Sequence, residues 1–501
     1  MDSLIRKLDE MRRHGGPART RGLDDAIIRR FATSHPGLAE AIDEAHARFT
    51  ALKAEMPGLL AADEGTQVAE AQKGFINFYP DDAINPYIAL AARGPWIVTL
   101  KGAVLHDSGG YGMLGFGHAP KAILAAMSGT QVMANIMTPS ISHIRLDRAL
   151  RAEIGQRRGG CPYSRFLCLN SGSESVTLAG RIADVNVKLN TDPGARHAGK
   201  KVRRIAVKGA FHGRTEHPAL YSDSTRRTYR QHLASASHHD QLIVIEPYSV
   251  EQLRQAFADA DAQGWFIEAV FLEPVMGEGD PGRALTPDFY AAARELTEVH
   301  GSLLLIDSIQ AGLRAHGVLS IVDYPGFETL PAPDMETYSK ALNAGQYPLS
   351  VLAVNERAAN LYRKGIYGNT MTSNPRAMDV GVAVLEGLTP ALRRNIVERG
   401  AEFVARLRAL AEELKGPITK VQGTGLLVSC ELSPEYKCFG EGSTEEFLRT
   451  EGIGVIHGGA NSLRFTPSFD ISSEELALIV NAVRHALVHG PRKAQPEAAA
   501  A

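Results

Sequence analysis

Leu303-Leu304-Leu305-Ile306-Asp307 decides the fold. Its four apolar residues run without alternation, as expected of a strand buried on both faces rather than one with a wet side. Arg165-Phe166-Leu167-Cys168-Leu169, Arg204-Ile205-Ala206-Val207, Leu242-Ile243-Val244-Ile245 and Ala269-Val270-Phe271-Leu272 have the same texture. Helical spacing fills the intervals at 173–189, 250–260 and 287–300, the last with Thr286 as N-cap and Pro287 at the first helical position. Strand and helix alternating in this way predict an α/β fold, a large mostly parallel sheet flanked by helices.

Outward from this centre the texture changes. Residues 1 to about 90 read as helices with irregular joints, with apolar spacing from Leu23 to Phe31 and Leu38 to Leu52 and breakers at Asn85-Pro86 and Gly94-Pro95. Toward the carboxyl end, helical patterns from Pro375 to Leu388 and Pro390 to Leu414 lead into Gly423 to Cys430, a short strand at Leu463-Arg464-Phe465 and a helix opened by the capping box Ser472-Ser473-Glu474-Glu475. The expected division is 1–93, a helical extension leading into a small domain, and 94–374, a large sheet domain with 94–118 grouped with the small one. A small α+β domain at 375–490 and a Pro/Lys/Glu/Ala-rich, disordered tail at 491–501 complete it.

Over 501 residues, 44% hydrophobic and 22% charged residues exclude a disordered, collagenous or coiled-coil chain. Lysine and arginine number 54 against 56 acids, so nothing demands nucleic acid or an anionic membrane as partner. Four cysteines without CxxC spacing read as free thiols of a reducing compartment. With no apolar run of signal or membrane-spanning length, the expected location is cytoplasmic.

The chemistry gathers at strand ends. Asp307 places a carboxylate where open α/β sheets bind ligands, and a buried carboxylate needs a cation. Asn170-Ser171-Gly172-Ser173-Glu174 turns a strand into a helix whose first N–H groups suit a phosphate, although such a tripeptide alone is more often an ordinary capped turn. Phe211-His212-Gly213-Arg214 and Glu273-Pro274-Val275-Met276-Gly277-Glu278-Gly279 follow two further strands and would each, alone, pass for a surface loop. Lys340, in Tyr338-Ser339-Lys340-Ala341-Leu342, is a lysine among apolar residues, where desolvation yields a nucleophilic amine. An amine for an aldehyde, an acid for a ring nitrogen and an anion cradle are together what pyridoxal phosphate requires.

With Gly115-Phe116-Gly117-His118-Ala119-Pro120, Asp307-Ser308-Ile309-Gln310-Ala311-Gly312, Gly368-Asn369-Thr370-Met371-Thr372-Ser373-Asn374-Pro375 and Leu463-Arg464-Phe465-Thr466-Pro467 in order along the chain, the sequence resembles the class-III aminotransferases of the fold-type-I pyridoxal-phosphate enzymes. The resemblance spans about Gly94 to Leu487. It implies that Lys340 bonds the cofactor and moves the substrate proton, that Asp307 pairs with the pyridinium nitrogen, and that Gly172 and Ser173 hold the phosphate with Thr370 of a neighbouring subunit. It further implies that Phe211 stacks on the ring beside His212, with Gln310 near the 3′-oxygen. Arg464 would bind the substrate α-carboxylate, Glu278 would pair with Arg464 when that carboxylate is lacking, and Arg214 would take a distal one. An amine or ω-amino acid would then donate to 2-oxoglutarate or pyruvate in a homodimer or higher assembly. A racemase on the same scaffold and a non-catalytic relict are the competing readings. Ser308, Met276, Val176 and Asn343-Ala344 depart from the family pattern.

Overall fold

A computed structural model describes residues 2–109, 111–238 and 241–493; most of the expected tail, 494–501, lies outside them. The chain divides into two compact units, one of Lys121–Val397 with Gly423–Leu427, the other of Met1–Pro120, Glu398–Gln422 and Val428–Ala501.

The larger unit is built on a seven-stranded sheet. Its strands are β1 (Arg165–Leu169), β2 (Lys201–Val207), β3 (Leu242–Ile245), β4 (Trp265–Leu272), β5 (Leu303–Asp307), β6 (Met335–Tyr338) and β7 (Ser350–Val354), in the spatial order β1-β7-β6-β5-β4-β2-β3. All neighbours are parallel except β7, which runs antiparallel to both β1 and β6. Every residue of β5, β6 and β7 is buried, which is why these sequences carry no alternation. The helix Gly172–Thr191 lays Val176, Leu178, Ala179, Ile182 and Ala183 against Leu303, Leu305, Met335 and Leu352 of the sheet. Val176, a departure from the family pattern, is thus a core residue.

The helix Pro287–His300 begins where expected, with Thr286 Oγ1 accepting from Phe289 N, and stops at Gly301 in the left-handed region (φ 77°). Pro375–Gly387 lies in the larger unit and packs against Ile141–Glu153 and Lys121–Met127.

The smaller unit is assembled from both ends of the chain. Five helices between Asp2 and Gln72 precede an antiparallel meander, Ala89–Arg93, Trp96–Thr99 and Val104–Asp107, that the sequence reading did not find. Gly94-Pro95, read as a breaker, is the two-residue turn of its first hairpin: Arg93 pairs with Trp96, and Gly94 supplies the positive φ (54°). The third strand pairs in parallel with Ile453–Gly454 of the carboxyl-terminal segment, and Ser108 Oγ donates to Gly454 O across 346 positions of sequence. A second sheet, ordered Ile418–Thr424, Leu427–Leu432, Ser462–Phe465, Ile456–Gly458, is followed by Ser473–His489, whose Ser472–Glu475 capping box forms as read.

Buried polar side chains fasten this unit from within. Lys101 donates to the carbonyls of His14 (3.4 Å), Gly16 (2.9 Å) and Ala62 (2.7 Å). His106 Nε2 lies 3.2 Å from Glu475 Oε1, with both side chains shut away from solvent.

Candidate active site

Asp307 ends β5 at the point where the strand turns out of the sheet. Ser308 N still reaches Thr337 O of β6 (3.0 Å), so the carboxylate is held at a strand end that remains in register. It is 4% exposed. Its Oδ1 accepts from Ile309 N (3.1 Å) and its Oδ2 faces His212 Nδ1 at 2.8 Å. The contact orients the imidazole and turns its Nε2 away from the carboxylate. Nε2 is buried without a hydrogen-bond partner. The ring also meets Phe271 edge-on (centroids 5.8 Å apart), and His212 N donates to Ser222 Oγ (2.9 Å).

Glu273, just beyond β4, links two loops from inside. Its carboxylate accepts from Phe211 N (3.0 Å) and from Gly277 N (2.9 Å). Burial pushes this carboxyl up to about 7; the nearby His212 and the two N–H groups pull the other way, and the Asp307 charge adds to the rise. Phe211 is half-buried, with the Arg214 guanidinium 5.4 Å from its ring centroid and Arg214 itself exposed. A Cβ at Gly277 would overlap the Gln310 amide, so only glycine lets that loop lie against buried Gln310. Met276 is buried, and Glu278 keeps partial access to solvent.

The helix beginning at Gly172 makes its first backbone bonds from Glu174 N and Ser175 N to Ser171 O (3.1 Å each), so the N–H groups of Gly172 and Ser173 lead the turn ahead of them. Ser171 Oγ accepts from Glu174 N (3.3 Å), while the Glu174 carboxylate accepts from Asn170 N (2.7 Å) and Asn369 Nδ2 (2.7 Å). The last bond ties the segment carrying exposed Thr370 to this helix start. A Cβ at Gly213 would press on Ser173 Oγ at 2.5 Å, so the loop bearing Phe211 and His212 also closes onto the same turn.

Lys340 opens a short 3-10 turn after β6 and takes φ 43°, a left-handed value that L-residues other than glycine seldom adopt. Strain of this kind collects at functional sites. The turn is fastened to the start of β7: Ser339 Oγ donates to Leu349 O (2.8 Å) and Asn343 Nδ2 to the same oxygen (3.0 Å). Ala344 is left-handed too, at φ 51°.

The larger unit therefore brings together Asp307, His212, Phe211, Gly172, Ser173 and Gln310, and carries Lys340, Glu278, Arg214 and Thr370. Arg464 belongs to the smaller unit, buried on Ser462–Phe465 with its guanidinium 5.6 Å from the Tyr111 ring centroid. Sequence reasoning missed Ser222, which orients the His212 backbone, and Glu336, which lies directly behind Ser308. Neither stands in a segment whose spacing suggests chemistry.

Residues 79–487 match the family model of the class-III aminotransferases. Among curated relatives, the succinylornithine transaminase of Citrobacter koseri is 32% identical over 319 residues, covering 62% of this chain and 71% of that one. The acetylornithine aminotransferase of Neisseria meningitidis serogroup B is 29% identical over 81% of this chain and 96% of its own. In fold, the chain is similar to the crystal structure of ornithine aminotransferase from Toxoplasma gondii (TM-score 0.72, 22% identity), over 87% of this chain and 98% of that one. With a strand-end acid, an open helix start and a strained lysine in one sheet unit, and a family match over most of its length, the chain belongs to the class-III aminotransferases, enzymes that move an amino group to a 2-oxo acid.

Proposed function

We propose that this transaminase uses pyridoxal 5′-phosphate held at the carboxyl ends of the larger unit's strands, with Lys340 and Asp307 as its catalytic residues. The observation that carries the reading is Asp307: a carboxylate 4% exposed, with one oxygen on Ile309 N and the other on His212, at the edge where an α/β sheet receives its ligand. The residues suit the group. The acid answers a protonated ring nitrogen, the open first turn at Gly172 and Ser173 answers a phosphate, and half-buried Phe211 offers a face for a ring. When bound, pyridoxal phosphate supplies the electron sink for breaking the bond at the substrate α-carbon.

Lys340 would hold the cofactor through its amine, and its Nζ would carry the proton taken from the substrate α-carbon. Asp307 would pair with the ring nitrogen, and His212, whose Nδ1 lies 2.8 Å from Asp307 Oδ2, keeps that carboxylate oriented. Gly172 and Ser173 bind the phosphate together with Thr370 of a second copy of the chain, which makes the working form a homodimer or larger. Gln310, braced on Gly277, would lie near the 3′-oxygen of the ring. Arg464 binds the α-carboxylate of an amino or oxo acid, Glu278 balances that arginine when the donor lacks the carboxylate, and Arg214 receives a distal one. The donor is then an ω-amine or ω-amino acid, in keeping with the ornithine derivatives named for both curated relatives, and the acceptor 2-oxoglutarate or pyruvate. A cytoplasmic location accords with free thiols and with described helices none of which is long and apolar enough to cross a membrane.

The test begins with colour. Purified protein given pyridoxal phosphate should absorb in the visible, and borohydride should bleach it. A panel of amines should then discharge the absorbance, and an added 2-oxo acid should restore it. Protein that takes up no cofactor, or that inverts an amino acid without passing on its nitrogen, defeats the proposal.

A further inference from the structure

Glu336 is a fully buried carboxylate in the middle of β6, and no role described so far uses it. Its two oxygens accept four hydrogen bonds. Oε1 receives Ser308 Oγ (2.6 Å) and Ile321 N (2.9 Å); Oε2 receives Tyr163 OH (2.6 Å) and Ser320 Oγ (2.5 Å). Four donors fill the lone-pair positions of an ionised carboxylate, and all four are neutral. Burial pushes the Glu336 carboxyl up, against the pull of these donors. Charge placed in the interior without a cation is expensive, and an apolar side chain would fill a strand interior at less cost. The donors show what the expense secures. Ser308 follows Asp307 directly, Ser320 and Ile321 close the segment that bears Gln310, and Glu336 sits four residues before Lys340 on the strand that delivers it. Glu336 lies opposite Ile306, one step inside the Asp307–Thr337 pair.

We propose that Glu336 is a positioning residue, a buried carboxylate that locks the end of β5 and the exit of β6 together and so fixes Asp307 and Lys340 relative to one another. This rests on the reading of Asp307 and Lys340 as cofactor partners. It also gives Ser308 a purpose, since the hydroxyl is the link from this carboxylate to the residue beside Asp307.

The test uses apoenzyme reloaded with pyridoxal phosphate and reads the dissociation constant, the visible circular dichroism of the bound chromophore and the melting temperature of the apoprotein. Glu336→Gln keeps the size but turns an amide N–H toward donors; it should weaken cofactor binding about tenfold and diminish the dichroism, as loss of an orienting outer partner does. Ser308→Ala should do the same to a smaller degree, and the double variant should be no worse than Glu336→Gln alone, because both cut one link. Should Glu336→Gln fail to fold, Ser308→Ala carries the test by itself. A lowered melting temperature with unchanged affinity and dichroism in the folded variants makes Glu336 a core residue only and overturns the proposal. Wild-type protein that binds no pyridoxal phosphate overturns the proposed function instead.

Discussion

Two lysines, one in each unit, are held in different ways. Lys101, in the smaller unit, is 2% exposed and spends its three N–H groups on the carbonyls of His14, Gly16 and Ala62. Lys340, in the larger unit, is less buried, yet its backbone is left-handed at φ 43° in a turn pinned to Leu349. By desolvation alone Lys101 is the better nucleophile, since burial lowers its pKa against the charges of Glu64 and Asp63. It is nevertheless a fastening, because an ammonium whose donors are all taken has nothing to offer a substrate. On the proposed reading of Lys340, backbone strain and a place at the end of a strand mark the working lysine better than burial does.

The largest effect should come from exchanging the two. Lys340→Ala should cut turnover at least about a hundredfold through loss of proton transfer alone and remove the covalent bond to the cofactor, with little change in melting temperature. Lys101→Ala should leave the kinetic constants near wild type and lower stability by about 1–3 kcal/mol, the cost of stranding buried carbonyls. If Lys101→Ala were the catalytically dead variant, the comparison would be reversed.

The pH dependence of stability sharpens the contrast. In the smaller unit burial alone would raise the Glu475 carboxyl, but the His106 hydrogen bond and charge and the Ser472 contacts hold it down to about 2. Its stabilisation is complete above the ordinary 4.5 and is lost as pH falls toward 2. Glu273 has the opposite sign: raised from 4.5 to about 7, it binds its proton more tightly when folded, so stability drains away as pH rises through that interval. Glu273→Gln should therefore flatten the neutral flank of the melting profile, a term of up to about 3 kcal/mol. Glu475→Gln should flatten only the acid flank. Unchanged neutral flanks in Glu273→Gln would mean that its carboxyl titrates as an ordinary one.

The smallest effect concerns strain without chemistry. Ala344 holds φ 51° in the Lys340 turn, and Ala344→Gly should stabilise the protein by about 1 kcal/mol, read from denaturant unfolding, with unaltered cofactor binding. A loss of affinity there would show that this strain, too, serves the site.

Much of this architecture is legible before any coordinates. Runs such as Leu303 to Ile306 read as buried strands, and Thr286-Pro287 and Ser472 to Glu475 mark helix starts to the residue. The meander at 89–107 was not legible: its strands span four or five residues, and Gly94-Pro95 reads alike as a breaker or as a hairpin turn. Among the site residues, those at strand ends announced themselves by position. Glu336 did not, because an acid within Met335-Glu336-Thr337-Tyr338 looks like the wet side of an alternating strand, and its four donors come from distant segments. The pairing of His212 with Asp307, 95 positions apart, is likewise a product of topology.

The parallel pairing of Val104–Asp107 with Ile453–Gly454 has a consequence for biosynthesis. As the ribosome releases the chain, all seven strands of the large sheet emerge before residue 453 exists, so that sheet can form first. The amino-terminal meander must meanwhile wait, with the Val104–Asp107 edge unpaired, for Ile453–Gly454 to be made. For most of its synthesis such a chain therefore carries one strand edge without the partner that covers it in the folded unit.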